Sequence, residues 1–142
     1  DMSKVAVVYW SASGNTEVMA GAVAEGAKEK GAETSVLFCS AFSADMVDQY
    51  DAIAFGCPAM GAEVLEEAEF EPMFSSCKSK LGGKRVALFG SYGWGTGDWM
   101  RSWEEECGDV GINLVCDSVI CNEMPDEDGL AACRALGAAV AG

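Results

Sequence analysis

The sequence contains no histidine and few basic residues. Only 9 Lys and Arg residues stand against 23 Asp and Glu residues, which gives a formal net charge of −14 at pH 7. Nucleic acids and anionic membranes are therefore poor candidates as partners, because their phosphates would be repelled. A basic protein partner is compatible with this charge, although the need for solubility alone is the better explanation of net charge taken by itself.

Long apolar runs are also missing. No run approaches the roughly 18 residues of a membrane span, and the N-terminus lacks the charged-then-apolar layout of a signal peptide. We therefore expect a cytoplasmic protein. Asp1 precedes Met2 and is interpreted as a cloning remnant, so residues 2–142 are expected to form a single domain with a full hydrophobic core.

The seven cysteines include no CxxC pair. Their number is odd, and several lie in runs that we expect to be buried, which indicates free thiols in a reducing compartment. Zinc and iron–sulfur sites need tighter clustering of their ligands. We therefore expect no metal site.

Common nucleotide motifs are absent as well. No G-x-x-x-x-G-K-[ST] loop is found, and Asp98 stands where a G-x-G-x-x-G fingerprint would need its last glycine. The first and third predicted strands end at Trp10 and Cys57, whereas a phosphorylated receiver domain would place acidic residues there. These nucleotide-binding and signalling folds are therefore poor matches.

Strand-like and helical segments alternate along the chain. Strands are predicted near 4–9, 33–39, 51–56, 84–89 and 112–121, and helices near 15–30, 43–49, 67–80, 98–109 and 126–141. The strands are continuous apolar runs, which is typical of a parallel sheet covered by helices on both faces. We therefore predict an α/β domain with a doubly wound, five-stranded sheet, whose ligands bind beyond the carboxyl ends of the strands.

The loop after the first strand is rich in hydroxyl groups. It reads Ser11-Ala12-Ser13-Gly14-Asn15-Thr16 and leads directly into the first predicted helix. A helix N-terminus has unpaired N–H groups and a dipole that favours an anion. The loop could hold a phosphate through neutral donors, or Ser13 or Asn15 could simply cap the helix; these six residues leave both interpretations open.

Two further loops follow the ends of strands three and four. They span 56–63 and 90–97, and the second contains four glycines in eight residues, which lets a ligand approach the backbone closely. Trp94 lies between two of these glycines. We expect it to form a stacking surface for a flat ring, with packing inside the loop as the alternative.

Together, these three loops resemble those of flavodoxins. Over essentially the whole chain, the resemblance is carried by Tyr9-Trp10-Ser11-Ala12-Ser13-Gly14-Asn15-Thr16-Glu17, Gly56-Cys57-Pro58-Ala59-Met60-Gly61, and Gly90-Ser91-Tyr92-Gly93-Trp94-Gly95 followed by Trp99-Met100. Without an insertion near the last strand, the chain is similar to the short-chain type of anaerobic bacteria. Ala12 and Ser13 depart from the usual Ser-Gly-Thr-Gly-Asn-Thr loop. The resemblance implies the strand order 2-1-3-4-5, the order known for flavodoxins.

The resemblance also implies a non-covalently bound FMN. The phosphate would be held by side chains and backbone of the first loop, which are Ser11, Ala12, Ser13, Gly14, Asn15 and Thr16, with Trp10 beside them. The ring would lie between Met60 and Trp94, near Pro58, Ala59 and Tyr92. Backbone N–H groups of Gly93, Trp94 and Gly95 would face N1 and O2 of the ring, and Ser91 and Asn122 would face the ribityl chain.

Two residues of the second loop have special roles by the same resemblance. Glu63 would accept a hydrogen bond from N3–H of the flavin. The Gly61 carbonyl would turn toward flavin N5 on reduction, in a turn from Met60 to Glu63 that needs positive φ at its second residue. No residue of the chain is needed as an acid, base or nucleophile, because FMN performs the electron chemistry.

The function implied is that of a low-potential one-electron carrier, not an enzyme, which shuttles electrons between redox enzymes. Its partners would be basic protein surfaces met transiently by a monomer. An acidic rim beside the flavin edge would attract them, and is formed by Glu63, Glu66, Glu67, Glu69, Glu71, Asp98, Glu104 and Glu105. Two alternatives remain: an FMN-dependent reductase with its own small substrate, and a non-redox ligand-binding or signalling domain.

Overall fold

Continuous apolar strands form the centre of the structure, a computed structural model that describes residues 2–142. Asp1, the interpreted cloning remnant, lies outside the described residues. The strands are β1 (Lys4–Tyr9), β2 (Glu33–Phe38), β3 (Ala52–Gly56), β4 (Arg85–Tyr92), β5 (Asn113–Leu114) and β6 (Val119–Asn122). The α-helices are α1 (Asn15–Glu29), α2 (Phe70–Cys77), α3 (Asp98–Asp109) and α4 (Glu127–Ala141). No helix within 2–142 is long and apolar enough to cross a membrane.

The sheet has the predicted order β2-β1-β3-β4-β5, and its strands pair in parallel. The prediction of one last strand over 112–121 is wrong, because β5 and β6 pair separately with β4. Val86 of β4 pairs with Leu114 of β5, whereas Phe89 of β4 pairs with Val119 of β6, so the segment opposite β4 contains more residues than β4 does between these two pairs. The surplus residues cannot join a regular ladder, so they interrupt the strand as a bulge does.

Two predicted helices also differ from the structure. The segment near 43–49 forms a short 3-10 helix, Ala44–Gln49, instead of an α-helix, in keeping with the use of 3-10 geometry in short connectors. The helix predicted over 67–80 begins at Phe70, ends at Cys77 and continues as 3-10 turns over Lys78–Lys80. Its start is delayed because the residues before Phe70 turn back onto Glu66.

Side chains that alternate along each strand separate the core into two layers. Val5 and Val7 of β1 pack with α1 and α4, whereas Ala6 and Val8 pack with α2 and α3. On the second side, Phe55, Phe70, Phe74 and Trp103 form an aromatic cluster joined by edge-to-face contacts. The two layers hold the sheet rigidly, and with it the loops at its carboxyl edge.

Two glycines allow α1 and α4 to approach each other closely. A Cβ added to Gly137 would lie 1.9 Å from the carbonyl oxygen of Val23, and one added to Gly26 would lie 1.9 Å from that of Arg134. Both clashes involve backbone atoms, which cannot rotate away. The helix pair therefore depends on the absence of these two side chains.

Gly137→Ala should lower the free energy of unfolding by about 1–3 kcal/mol, because the methyl group forces the two helices apart. Gly21→Ala is the matched control, since an added Cβ there meets nothing within 4 Å; it should raise stability by about 0.5–1 kcal/mol through helix propensity. Urea unfolding of both variants measures the difference. Equal effects at the two positions would contradict this account of the helix contact.

Candidate functional site

The carboxyl ends of β1, β3 and β4 open into a cleft with a volume of about 350 Å³. All three predicted loops contribute to its lining, which consists of Trp10, Ser11, Ala12, Ser13, Asn15, Thr16, Pro58, Ala59, Met60, Ser91, Tyr92, Gly93 and Glu123. The remaining predicted site residues lie outside this lining and are Gly14, Gly61, Glu63, Trp94, Gly95 and Asn122. The cleft contains no Lys or Arg, so its donors toward an anion are neutral.

The first loop presents the N-terminus of α1 to this cleft. The N-cap residue is Gly14 in the left-handed conformation, with φ +100°, and as a glycine it has no side chain with which to cap the helix. Capping by Ser13 or Asn15, the alternative from the sequence, is therefore wrong. Ser11 Oγ accepts a hydrogen bond from Glu17 N at 3.2 Å, and this bond fixes the curve of the loop.

The side chains and backbone of this loop suit a phosphate. Within 2–142, the side chains of Ser13 and Asn15 donate to no protein group, so their donors remain available at the cleft. Ala12, which replaces a family glycine, is absent from the residues with positive φ. The replacement therefore causes no backbone strain, because the left-handed residue of the loop is Gly14.

Thr16 has a different position from that of its neighbours. Its side chain is buried, with 1 % exposure, and its Oγ1 lies 2.8 Å from Ser91 Oγ, which is also buried. Ser91 N donates to the same Thr16 oxygen at 3.3 Å. These two bonds tie the first loop to the end of β4, so Thr16 contributes to the cleft mainly by fixing its floor.

The second loop forms a tight turn closed by two backbone hydrogen bonds. Met60 N donates to Val64 O at 2.8 Å, and Val64 N donates to Met60 O at 2.9 Å. Gly61 has positive φ, at +50°, which is the sign that the resemblance implies for the turned carbonyl, and Glu63 also has positive φ, at +57°. The predicted turn from Met60 to Glu63 is thus one residue longer and contains a second left-handed residue.

The third loop carries the exposed tryptophan. Trp94 has 66 % of its surface exposed, so the alternative that it packs inside its loop is wrong. Glu63 reaches this loop from the second one: its Oε1 accepts from Asp98 N at 3.2 Å, and a Cβ on Gly95 would lie 2.3 Å from that oxygen. Gly95 also has φ +88°, a conformation that other residues rarely adopt, and its lack of a side chain leaves space for this carboxylate, which links the two loops.

Residues at the rim of the cleft complete the arrangement. Trp10 Nε1 donates to Glu69 Oε1 at 3.2 Å, which orients the indole at the cleft edge. Asn122 lies beside the cleft, where its Nδ2 donates to Tyr92 O at 3.3 Å. Its neighbour Glu123 lines the cleft instead, with φ +57° and its N–H bonded to the same carbonyl at 2.8 Å. Glu123 belongs to no motif, so it could not be predicted from the sequence.

Glu66 is the clearest departure from the predicted acidic rim. It has 8 % exposure, and its carboxylate accepts backbone hydrogen bonds from Ala68, Glu69 and Phe70 at 2.8–2.9 Å. Burial by itself raises the pKa of this carboxyl group, but the three N–H donors outweigh burial and lower it. The prediction that Glu66 belongs to an exposed rim is wrong. Glu67 and Glu69 remain exposed.

Glu66 should make stability depend on pH. A carboxyl group with a lowered pKa stabilises the fold above its unfolded-state pKa of about 4.3, and this stability is lost as pH falls through the folded pKa. Glu66→Gln should therefore cost about 1–3 kcal/mol at pH 7, and its difference from wild type should shrink below about pH 4.3. Urea unfolding at several pH values measures this, with exposed Glu67→Gln as control; a difference that does not vary with pH would contradict it.

Comparison with known proteins is consistent with this geometry. A family model described as Flavodoxin matches residues 7–137. The chain is similar to a flavodoxin of Megasphaera elsdenii, at 43 % identity over 96 % of this chain and 98 % of the relative. It is similar to a flavodoxin of Clostridium beijerinckii, at 46 % identity over 85 % of this chain and 88 % of the relative. The solution structure of two-electron reduced Megasphaera elsdenii flavodoxin matches with a TM-score of 0.89, at 44 % identity over 96 % and 98 % of the two chains.

Proposed function

The chain belongs to the flavodoxin family and is an FMN-binding electron carrier, not an enzyme; from this premise we propose how its residues hold the cofactor and meet partners. Family membership also favours the carrier over a reductase with its own substrate and over a non-redox domain. When bound, FMN supplies one-electron oxidation and reduction. We propose that residues 2–142 form one FMN-binding domain. The N-terminus of α1, which begins at the cleft after a glycine that has no capping side chain, is the observation that carries the site assignment.

The first loop is proposed to hold the phosphate without a positive charge. Ser11, Ser13 and Asn15 offer side-chain donors at the cleft, next to the first N–H groups of α1. Helix N-termini bind anions because these N–H groups and the helix dipole both favour negative charge. Gly14 gives the loop its left-handed turn, and Thr16 anchors it through Ser91.

The second and third loops are proposed to hold the ring. Met60 lines the cleft beside Pro58 and Ala59, whereas Trp94 offers an exposed indole for stacking on the other face. Glu63 is the proposed acceptor for N3–H, since its carboxylate already lies between the two ring loops. The N–H groups of the third loop, from Gly93 to Gly95, would face N1 and O2, and the Gly61 carbonyl would face N5.

Basic surfaces of other redox proteins are the proposed partners, met transiently by a monomer. A net charge of −14 supports this choice, and exposed Glu67 and Asp98 flank the loops that carry Met60 and Trp94. Negative charge around an electron-transfer edge speeds encounter with a basic partner more than it strengthens the complex. Seven free cysteines in residues 2–142 support a reducing compartment, and we propose the cytoplasm.

Ser13→Ala should weaken FMN binding by about 1–3 kcal/mol, because a phosphate oxygen would lose its donor. Riboflavin has no phosphate, so its affinity should not change. Fluorescence titration of the cofactor-free protein with each flavin measures both constants. An equal loss for both flavins would show that Ser13 shapes the loop generally and does not contact the phosphate.

Charge reversal should identify the docking face. Glu67→Lys should slow electron transfer with a basic partner more than Glu29→Lys, because Glu67 lies beside the ring loops and Glu29 ends α1 at the opposite edge of the sheet. Both side chains are exposed, and neither forms an ion pair within 2–142. Stopped-flow rates should converge as salt shortens the Debye length below about 8 Å. Identical effects at low salt would indicate that only net charge matters.

A further inference from the structure

Glu66 joins the second loop to the protein core at several points. Its backbone N–H donates to Cys57 Sγ at 3.4 Å, and its carbonyl accepts from Glu71 N at 2.9 Å. Its carboxylate spans the start of α2: Oε2 accepts from Ala68 N, while Oε1 accepts from Glu69 N and from Phe70 N. A single buried residue therefore connects the end of β3, the second loop and α2.

The partner at the end of β3 is itself fixed. Cys57 is fully buried, and its carbonyl accepts from Trp99 Nε1 at 3.0 Å. A Cβ on Gly90 would lie 2.1 Å from that carbonyl oxygen, so β4 packs tightly against it. Burial raises the pKa of the Cys57 thiol, which therefore stays protonated. Glu66 is thus attached to one of the least movable points of the sheet edge.

The turn between these anchors is held at its base and open at its tip. Ala59 N donates to Ser91 O at 3.0 Å on one side, and Glu66 holds the other side. Between them, Met60 and Val64 pair through both backbone groups. At the tip, an added Cβ on Gly61 would meet nothing within 4 Å. The position of Met60 at the cleft is therefore set by the base of the turn.

We propose that Glu66 is a positioning residue for the flavin ring: through Cys57 and the first turn of α2, it fixes the base of the Met60–Val64 turn. This inference rests on the proposed FMN site. Glu66 is not proposed as a contact of the cofactor, because its carboxylate is buried against three backbone N–H groups at the start of α2. Its effect reaches the ring through Met60, and it acts on the ring side of the site and not on the phosphate side.

The chemistry of the side chain explains why glutamate is needed. Its two oxygens accept from three backbone N–H groups, and hydrogen bonds to a charged acceptor are stronger than neutral ones. Glutamine would replace one acceptor by a donor that faces another donor. Aspartate would keep the charge but is one methylene shorter, so it could not span the same three groups. Aspartate therefore tests the position of the carboxylate, and glutamine tests its charge.

The experiment compares Glu66→Asp, Glu66→Gln and Glu67→Gln in the FMN-loaded and cofactor-free protein. We expect Glu66→Asp to raise the dissociation constants of FMN and of riboflavin by the same factor. This factor is about tenfold if the variant loses the free energy of one hydrogen bond. It should also change the separation between the two one-electron potentials, because the surroundings of the ring are altered. Glu66→Gln should change this separation in the same direction.

Glu67→Gln is the matched control. It removes a neighbouring charge from an exposed side chain that accepts none of these backbone bonds. The dissociation constants of FMN and riboflavin should match wild type in this control, and its potentials measure the effect of a lost charge alone, because a nearby charge acts most on the electron step that adds negative charge to the ring. A Glu66→Asp protein that matches wild type in its riboflavin dissociation constant and in the separation of its potentials would overturn the proposal, as would one that loses affinity for FMN but not for riboflavin.

Two further outcomes are distinguishable. If neither Glu66 variant folds, Cys57→Ala removes the sulfur acceptor alone, and an unchanged riboflavin dissociation constant and potential separation in that variant overturn the proposal. If wild type binds FMN no better than riboflavin, the proposed cofactor site fails. If wild type binds FMN normally but Glu66→Asp has no effect on either quantity, only the proposed role of Glu66 is contradicted.

Discussion

Parallel pairing of β1 with β3, and of β3 with β4, is the constraint on which the site depends. The register places Tyr9 opposite Gly56 and Gly56 opposite Phe89, so three strands reach the same edge of the sheet together. Each then continues into one of the three loops of the cleft. Because the chain visits β2 on the far side of β1 before it returns to β3, a crevice opens at this edge, as in other doubly wound sheets.

Hydrogen bonds between the loops turn this crevice into a defined cleft. Ser91 is hydrogen-bonded to Thr16 of the first loop and to Ala59 of the second loop. Glu63 joins the second loop to the third, and Glu66 joins it to the core. Loops are normally the most mobile parts of a fold. Here each loop is fixed by its neighbours, and fixed donors lose little entropy when they bind a cofactor.

Acidic residues have two different functions in this molecule. Glu66 is buried, and its charge is compensated by three backbone N–H groups, so it acts on structure. Exposed residues such as Glu67 keep their charge in water, where it contributes to a long-range field but little to stability. Composition alone cannot separate the two, because residues 66 and 67 are both glutamate and differ only in what surrounds them.

The sequence by itself determined the α/β class and the three loops, because apolar runs, glycine positions and hydroxyl-rich turns are local features that have the same meaning in any context. The strand order and the positive φ at Gly61 came from its resemblance to a known family. Tertiary structure alone decided that Glu66 is buried, that Glu123 and not Asn122 lines the cleft, and that the last strand divides into β5 and β6. Each of these depends on residues distant in the chain, such as Cys57 for Glu66 and β4 for the divided strand, because burial and pairing are properties of neighbours in space.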